Sequence, residues 1–314
     1  MRAFTYSIPM TTRFRGITVR EGMLVEGPAG WGEFCPFPEY DDAEAASWLA
    51  AALEAASVGW PAPVRVSIPV NCIVPAVDPL RAQEMVRDSG CTTAKVKVAD
   101  EPGSLPADLD RVAAVRDALG PGGAIRVDAN ARWDVDEAVA AIRALDRAAG
   151  GLQYVEQPCV TVEELVAVRT RVDVRIAADE AIRRADDPLA VDVTEAADVA
   201  ILKVAPLGGV RRALAVAEAC GLPCVVSSAL ETSVGLAAEI ALAAALPELE
   251  FACGLGTVAL LREDVVDAPL RPVDGMLPVL RRAPDPVRRC ALAADGDRAA
   301  WWGARLARVS SLVP

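Results

Sequence analysis

Residues 94–98 read Ala-Lys-Val-Lys-Val, a short apolar run that carries two of the three lysines of the chain. Side chains two positions apart in a β-strand point to the same side of the sheet, so this run predicts a strand that presents Lys95 and Lys97 together. Similar runs recur along the chain, with intervals of 23 to 31 residues between the polar residues at their ends, which are Lys97, Asp128, Glu156, Asp179, Lys203 and Ser227. An interval of this length is typical of one strand–loop–helix unit.

Eight such runs alternate with stretches of helical periodicity. Helix start signals lie between them, among them Pro106 and the capping-box pair Asp134 and Glu137. Eight buried strands that alternate with helices are typical of a parallel (β/α) barrel rather than an open sheet. We therefore predict an α/β fold with a barrel over residues 61–256 and strands near 67–74, 94–98, 125–130, 152–158, 174–180, 199–204, 224–228 and 251–254.

Residues 1–60 have a different pattern, which predicts a small α+β capping domain. Apolar runs at 2–9, 16–20 and 23–27 are typical of an antiparallel meander, and a helix is expected from Asp41 or Asp42 to about residue 56. Because the mouth of a barrel alone would leave a bound anion open to water, we expect this domain to cover the carboxyl ends of the barrel strands. The aromatic residues expected at the junction are Trp31, Phe34 and Phe37.

Residues 257–314 form a third segment, rich in proline before an amphipathic stretch at 295–309. We expect this segment to return toward the capping domain.

The composition excludes several classes of protein. The chain has 314 residues, a formal net charge of −12 and a hydrophobic content of 53%. An acidic surface repels polyanions, so neither nucleic acid nor an anionic membrane is expected as a partner. No apolar run reaches the roughly 18 residues of a membrane span, and residues 1–20 lack the layout of a signal peptide, so a cytoplasmic protein is expected. Eight cysteines without a Cys-x-x-Cys spacing predict reduced thiols rather than a zinc site.

The choice of basic residues indicates which positions could act in acid–base catalysis. The chain has no histidine, which excludes Ser-His-Asp triads and imidazole bases. Of its 32 basic residues only Lys95, Lys97 and Lys203 are lysines. Lysine can lose its proton in a protein and arginine cannot, so these three positions are candidates for acid–base catalysis.

Acidic residues end the three strands that follow the lysine pair. Asp128, Glu156 and Asp179 come from successive strands, and the carboxyl ends of barrel strands meet at one face. Three carboxylates without histidine or paired cysteine suit a hard divalent cation, so we predict one Mg²⁺, for which Mn²⁺ can substitute. Helix capping or simple ion pairing is the structural alternative for each residue taken alone. Together with the lysines, the site is expected to attract a small anion.

The combined motifs resemble the enolase superfamily, in its muconate lactonizing enzyme subgroup. The residues that carry the resemblance are Lys95-x-Lys97, Asp128-x-Asn130, Glu156-Gln-Pro, Asp179-Glu180 and Lys203. The stretches 20–22, 30–40 and 227–235 are similar to the actinobacterial form of a branch that dehydrates 2-succinyl-6-hydroxy-2,4-cyclohexadiene-1-carboxylate to 2-succinylbenzoate in menaquinone biosynthesis. The resemblance implies a carbon–oxygen lyase with a capped (β/α) barrel, acting on a small anionic dicarboxylate.

The resemblance also implies a mechanism. Lys97 is expected to remove the proton α to a carboxylate, giving an enediolate stabilised by the divalent ion, and then to protonate the departing hydroxyl in a syn elimination. Lys203, on the opposite face, is expected to stay cationic. Substrate contacts are expected from Lys95, Arg126, Asn130, Ser227, Ser228 and Gly254. The alternatives are a helix-dipole or core ion-pair role for Arg126 and ordinary turn chemistry for the two serines and Gly254.

Other functions on this scaffold remain open from the sequence. These are an N-acylamino-acid racemase or dipeptide epimerase, a muconate-type cycloisomerase, and a barrel without catalytic activity. The racemase and epimerase reactions need both lysines as acid–base groups, whereas the dehydration needs one. Residues 251–255 carry no acid for a substrate ammonium group, which disfavours the dipeptide epimerase.

Overall fold

The computed structural model describes residues 2–313 of the chain. The N-terminal domain is an antiparallel sheet of β1 (Arg2–Phe14), β2 (Ile17–Gly27) and β3 (Gly30–Phe34), followed by helix α1 (Asp42–Ser57). Asp41 caps α1 by accepting a hydrogen bond from the Glu44 backbone N–H. The helix therefore begins where the sequence predicts it.

The meander differs from the prediction in one respect. The runs at 16–20 and 23–27 are parts of the single strand β2, and the third strand is β3. Gly22 lies between the two runs and does not break the strand. A Cβ atom at Gly22 would lie 2.5 Å from Cys35 Cβ and 2.6 Å from the Tyr6 hydroxyl oxygen, so this glycine provides space for packing rather than a turn.

Seven parallel strands form the barrel wall. They pair in chain order, and they are β5 (Cys72–Val74), β6 (Thr93–Lys97), β7 (Ala124–Asp128), β8 (Tyr154–Glu156), β9 (Ile176–Ala178), β10 (Val199–Leu202) and β11 (Cys224–Val226). The predicted eighth strand is reduced to Cys253 and Gly254, which bridge in parallel to Val70 and Ser227 on either side. These two bridges close the ring, and the predicted α/β barrel class is confirmed.

The predicted first run at 67–74 contains two strands. β4 (Ser67–Pro69) pairs antiparallel with β12 (Met276–Pro278) of the C-terminal segment, and only β5 belongs to the barrel wall.

Helices alternate with the strands and cover the barrel. They are α2 (Pro79–Ser89), α3 (Leu105–Leu119), α4 (Val135–Ala149), α5 (Val162–Arg169), α6 (Glu180–Arg183), α7 (Val204–Leu207), α8 (Val210–Cys220) and α9 (Ser233–Ala245). The capping box of Asp134 and Glu137 is present at the start of α4. Within residues 2–313, none of the helices combines the length and apolarity that a membrane crossing requires.

The C-terminal segment packs against the N-terminal domain. It contains α10 (Pro286–Ala291) and α11 (Gly296–Ser310), and α11 lies against α1 and β1. Trp302 of α11 is fully buried, with its ring edge-on to Phe34 at 6.0 Å between centroids. Arg305 of α11 donates a hydrogen bond to the Phe37 carbonyl oxygen at 3.2 Å. Residues 296–310 thus complete the N-terminal domain.

The N-terminal domain meets the barrel at the carboxyl ends of its strands. A cavity of about 1020 Å³ lies there, between residues 12–16 of the β1–β2 hairpin and the loops that follow the strands. Of the three aromatic residues expected at this junction, Phe37 lies beside it, with its ring centre 4.4 Å from Arg15 Cζ, whereas Trp31 and Phe34 pack on other aromatic residues. Phe34 packs on Trp302, Trp31 packs on Phe4, and Phe37 lies behind the cavity wall with its ring against Trp48.

Candidate active site

The two lysines of β6 reach the same group of acids, as their alternation predicts. The Lys95 ammonium group donates to Asp128 Oδ2 at 3.1 Å and to Glu156 Oε1 at 2.9 Å. Lys97 donates to Asp128 Oδ2 at 2.5 Å and to Asn130 Oδ1 at 2.7 Å. Both side chains are largely shielded from water, with exposed fractions of 6% and 13%. Electrostatic interactions between them and the acids are correspondingly strong.

Lys203 approaches the site from the other side of the barrel. It follows β10, and its ammonium group donates to Asp179 Oδ2. Asp179 also accepts a hydrogen bond from Arg183 Nε at 2.9 Å. The three predicted acids and three predicted lysines therefore lie in one buried cluster at the carboxyl ends of β6 to β10.

Arg183 is a member of this cluster that the sequence analysis missed. Its guanidinium group bridges Asp179 and Glu180, with Nη2 at 2.8 Å from Glu180 Oε1. Glu180 also accepts a hydrogen bond from Asn130 Nδ2 at 3.3 Å. The spacing of four residues between Asp179 and Arg183 on a helix is the signal that could have revealed the pair.

Burial and charge pull the pKa values of the cluster apart. Burial lowers the pKa of Lys97, and the neighbouring Lys95 charge lowers it further, whereas Asp128 opposes the shift. Burial raises the pKa of Glu156 to about 7, with Asp128 adding to the effect. Burial alone would also raise the pKa of Asp128, but Lys97 and Lys95 outweigh it and hold that pKa well below its usual value. Such divergence within one buried cluster is typical of catalytic sites.

The donor set fits a hard divalent cation. Asp128, Glu156 and Asp179 offer only carboxylate oxygens, from three adjacent strands, and all three side chains are at most 1% exposed. Across residues 2–313, no three acids are already arranged as a cation site. Each of the three carboxylates accepts a hydrogen bond from a lysine ammonium group. A cation would have to displace these ammonium groups from the carboxylates.

The predicted substrate-contact residues divide into two groups. Lys95, Asn130, Ser227 and Ser228 line a narrow cavity of about 30 Å³ together with Lys97 and Lys203. Gly254 packs behind this wall, since a Cβ atom there would lie 2.7 Å from Ser227 Oγ.

Arg126 is placed elsewhere, so its expected substrate contact is corrected. Its guanidinium group is fully buried in the barrel interior, 4.6 Å from the centre of the Tyr154 ring. It donates to the Tyr154 hydroxyl and to the Ala252 carbonyl oxygen, both at 2.8 Å. Arg126 lies two residues before the strand end, and its long side chain extends toward the amino end of the barrel rather than toward its mouth.

Two buried side chains of the N-terminal domain, Arg20 and Glu33, form hydrogen bonds with the barrel. Arg20 is 1% exposed, and its Nε donates to the Leu230 carbonyl oxygen at 3.0 Å. Glu33 accepts hydrogen bonds from the backbone N–H groups of Thr232 at 3.0 Å and Gly235 at 2.9 Å. A carboxylate of one domain thus caps α9 of the other, where the helix dipole favours negative charge.

Comparisons with known proteins agree with this architecture. The family model for the enolase N-terminal domain-like fold matches residues 5–56, and that for the enolase C-terminal domain-like fold matches residues 80–284. The fold is similar to that of muconate lactonizing enzyme from Pseudomonas fluorescens, with a TM-score of 0.78 and 22% identity over 93% of this chain and 98% of that chain.

The sequence relatives are more informative than the structural neighbour. The chain is 63% identical to an o-succinylbenzoate synthase from Thermobifida fusca, over 98% of this chain and 95% of the relative. It is 54% identical to an o-succinylbenzoate synthase from Mycolicibacterium smegmatis, over 99% of this chain and 96% of the relative. The resemblance read from the motifs is confirmed, and the chain belongs to the o-succinylbenzoate synthase family of the enolase superfamily.

Proposed function

We propose that this chain dehydrates 2-succinyl-6-hydroxy-2,4-cyclohexadiene-1-carboxylate to 2-succinylbenzoate, with Lys97 as the base. The observation that carries the proposal is that Lys97 and Lys203 reach one buried acid cluster from β6 and from the end of β10. The substrate carboxylate would lie between them. The full-length similarity to o-succinylbenzoate synthases supports this choice of substrate.

Asp128, Glu156 and Asp179 would hold one Mg²⁺ or Mn²⁺. A divalent cation supplies electrostatic stabilisation to the negative charge that develops when a proton leaves the carbon next to a carboxylate. Four cations, which are the three lysines and Arg183, face four acids in this cluster, which are the three predicted ligands and Glu180. A bound divalent cation would therefore add net positive charge and favour an anionic substrate.

Lys97 would act twice in the reaction. Its neutral amine takes the ring proton next to the carboxylate, and the resulting ammonium group returns that proton to the departing hydroxyl. The C–O bond then breaks, water leaves and the ring becomes aromatic. Asn130 holds the ammonium group by accepting a hydrogen bond at 2.7 Å, which fixes its position for both steps.

Lys203 would remain protonated beside Asp179 and offset the negative charge of the substrate. This role differs from a racemase, in which both lysines exchange protons with substrate. Lys203→Ala, with exchange of substrate protons followed by NMR in deuterated water, separates the two functions. If Lys97 is the one base, Lys203→Ala still exchanges the substrate proton that Lys97 removes. A racemase with this substitution loses the proton exchange that Lys203 would catalyse.

The direct experiment is an optical assay for 2-succinylbenzoate with the purified chain. We expect product in the presence of Mg²⁺, and none with Lys97→Ala. Arg143→Ala is the control for the preparation of the variants. Arg143 is an exposed residue of α4 whose guanidinium group donates to the Arg171 carbonyl oxygen. Product formation without added divalent cation and in excess chelator would contradict the proposal.

We place the reaction in the cytoplasm. All eight cysteines are free thiols, and all but Cys290 are buried. Buried thiols without disulfides suit a reducing compartment.

A further inference from the structure

The tip of the β1–β2 hairpin carries an arginine in an unusual backbone conformation. Arg15 and Gly16 form the two-residue turn between the paired residues Phe14 and Ile17, with φ angles of 49° and 82°. Positive φ at both turn positions favours Asn, Asp or Gly, and it is unfavourable for other residues because their Cβ atom crowds the backbone. A strained residue at the edge of a site is a reason to look for a function of its side chain.

The guanidinium group of Arg15 is held in place from one side. Its Cζ lies 4.4 Å from the centre of the Phe37 ring, and Nη2 donates to the Tyr40 hydroxyl at 3.2 Å. In the part of the chain that the structure describes, this is the one hydrogen bond of the Arg15 side chain. Most of its N–H groups are therefore available to a ligand, and arginine binds carboxylates with two parallel hydrogen bonds.

Arg15 is also next to the reacting groups. It lines the narrow cavity that contains Lys97, Lys203 and Ser228. The ring of its neighbour Phe14 lies 5.4 Å from the Lys97 ammonium nitrogen. The hairpin tip thus brings one arginine to the lysine cluster without placing it among the acids.

Three other arginines border the wider cavity but not the narrow one. Arg13, Arg132 and Arg184 line the outer space only. Arg184 is also 3.5 Å from Glu44, which partly neutralises it. Arg15 is therefore the arginine that a ligand meets at the inner cavity.

We propose that Arg15 binds the second carboxylate of the dicarboxylate substrate, the one at the end of its succinyl chain, and so makes the enzyme selective for dicarboxylates. The inference rests on the proposed function, in which the ring carboxylate occupies the lysine cluster. The second carboxylate then needs a cation outside that cluster, on the side of the N-terminal domain. Arg15 meets this requirement.

The test pairs two variants with two ligands. The variants are Arg15→Met and, as a control on the same hairpin but outside both cavities, Arg2→Met, whose side chain is 81% exposed. The ligands are 2-succinylbenzoate and its monoester at the succinyl carboxylate, whose binding is measured by calorimetry with Mg²⁺, together with kcat and KM for the dehydration. Circular dichroism checks that each variant is folded.

We expect Arg15→Met to weaken binding of 2-succinylbenzoate about 10- to 100-fold, the range of one charge-assisted hydrogen-bonded pair, with a matching rise in KM. The monoester should bind both proteins within about threefold, since the carboxylate that Arg15 recognises is absent from it. Arg15→Lys should restore part of the selectivity, because it keeps the charge but not the paired geometry. Arg2→Met should bind both ligands as the parent does.

Two results would overturn this inference and leave the proposed function unaffected. Equal weakening of both ligands would show that Arg15 shapes the hairpin rather than binding the carboxylate, and unchanged binding of both would show that the carboxylate lies elsewhere. A parent protein that neither forms nor binds 2-succinylbenzoate would overturn the proposed function, and this inference with it.

Discussion

Asn130 Oδ1 accepts a hydrogen bond from the Lys97 ammonium group at 2.7 Å, from a backbone position with a φ angle of 47°. Asparagine tolerates this left-handed conformation better than most residues. Its side-chain nitrogen is held in turn by Glu180, at 3.3 Å. Asn130, which Glu180 holds in place, thus holds the nitrogen of the expected base Lys97.

Lys97→Arg should abolish most of the activity. The variant keeps the charge but cannot provide a neutral base, and loss of a general base costs about 10²- to 10⁴-fold in kcat. Lys203→Arg should be impaired but measurable, since a cation remains beside Asp179. Steady-state kinetics at fixed Mg²⁺ checks this ranking. If Lys97→Arg stayed within about tenfold of the parent, the base would lie elsewhere.

Removal of the divalent cation should abolish activity but leave the fold intact. Without the cation, the carboxylates of Asp128, Glu156 and Asp179 pair with the lysines, so no buried charge is left without a partner. Activity and circular dichroism in excess EDTA, followed by addition of Mg²⁺ or Mn²⁺, test both parts. Unfolding in EDTA would contradict the pairing, and full turnover in EDTA would contradict the metal site.

Glu33→Ala should destabilise the protein by at least about 3 kcal/mol. It leaves the Thr232 and Gly235 N–H groups and the Tyr6 hydroxyl without their acceptor in a buried contact, at about 1–3 kcal/mol for each group that stays unpaired. Urea unfolding measures the change. The matched control is Glu218→Ala on the exposed face of α8, for which we expect a change below about 0.5 kcal/mol. A similar loss of unfolding free energy in both variants would show that Glu33 does not stabilise the start of α9.

Glu231→Gln should change the pH dependence of stability. Burial raises the pKa of Glu231 to about 7, with Glu33 adding to the effect. From about pH 4.5 the unfolded chain loses this proton while the folded protein retains it, so the free energy of unfolding falls as the pH rises toward 7.

Glutamine cannot titrate, so Glu231→Gln should gain stability relative to the parent between pH 5 and pH 7, by at most about 3 kcal/mol. Urea unfolding at both pH values measures the difference between the two proteins. A difference that stays constant over this interval would show that Glu231 titrates alike in the folded and unfolded chain. Glu156, whose pKa burial also raises to about 7, is present in both proteins, so its contribution to the pH dependence cancels in the comparison.

The barrel and its acid–lysine cluster were predictable because they depend on local periodicity and on strand ends. The alternation at Lys95 and Lys97 fixes a common side, and parallel strands bring Asp128 and Glu156 to the same edge. The structure places all of these residues in one cluster, as the spacing predicts. Their roles in catalysis and metal binding remain predictions.

Contacts between distant segments could not be read from the sequence. Glu33 and Thr232 are 199 residues apart, and no periodicity relates them. The expected substrate contact of Arg126 failed for a different reason. Strand alternation defines the side of the sheet to which a residue points, but not whether a long side chain extends along the barrel axis toward its mouth or its base.

The position of α11 has a consequence for how the chain folds during its synthesis. Phe34 and the carbonyl oxygen of Phe37 are synthesised before the barrel, whereas their partners Trp302 and Arg305 are synthesised after it. Until then the aromatic surface of the nascent domain is uncovered, which is the kind of surface that chaperones bind and that aggregates form from. The time at which this contact forms should therefore differ between refolding of the released chain and folding during translation. The complete chain can form this long-range contact at once, whereas the nascent chain must wait for it.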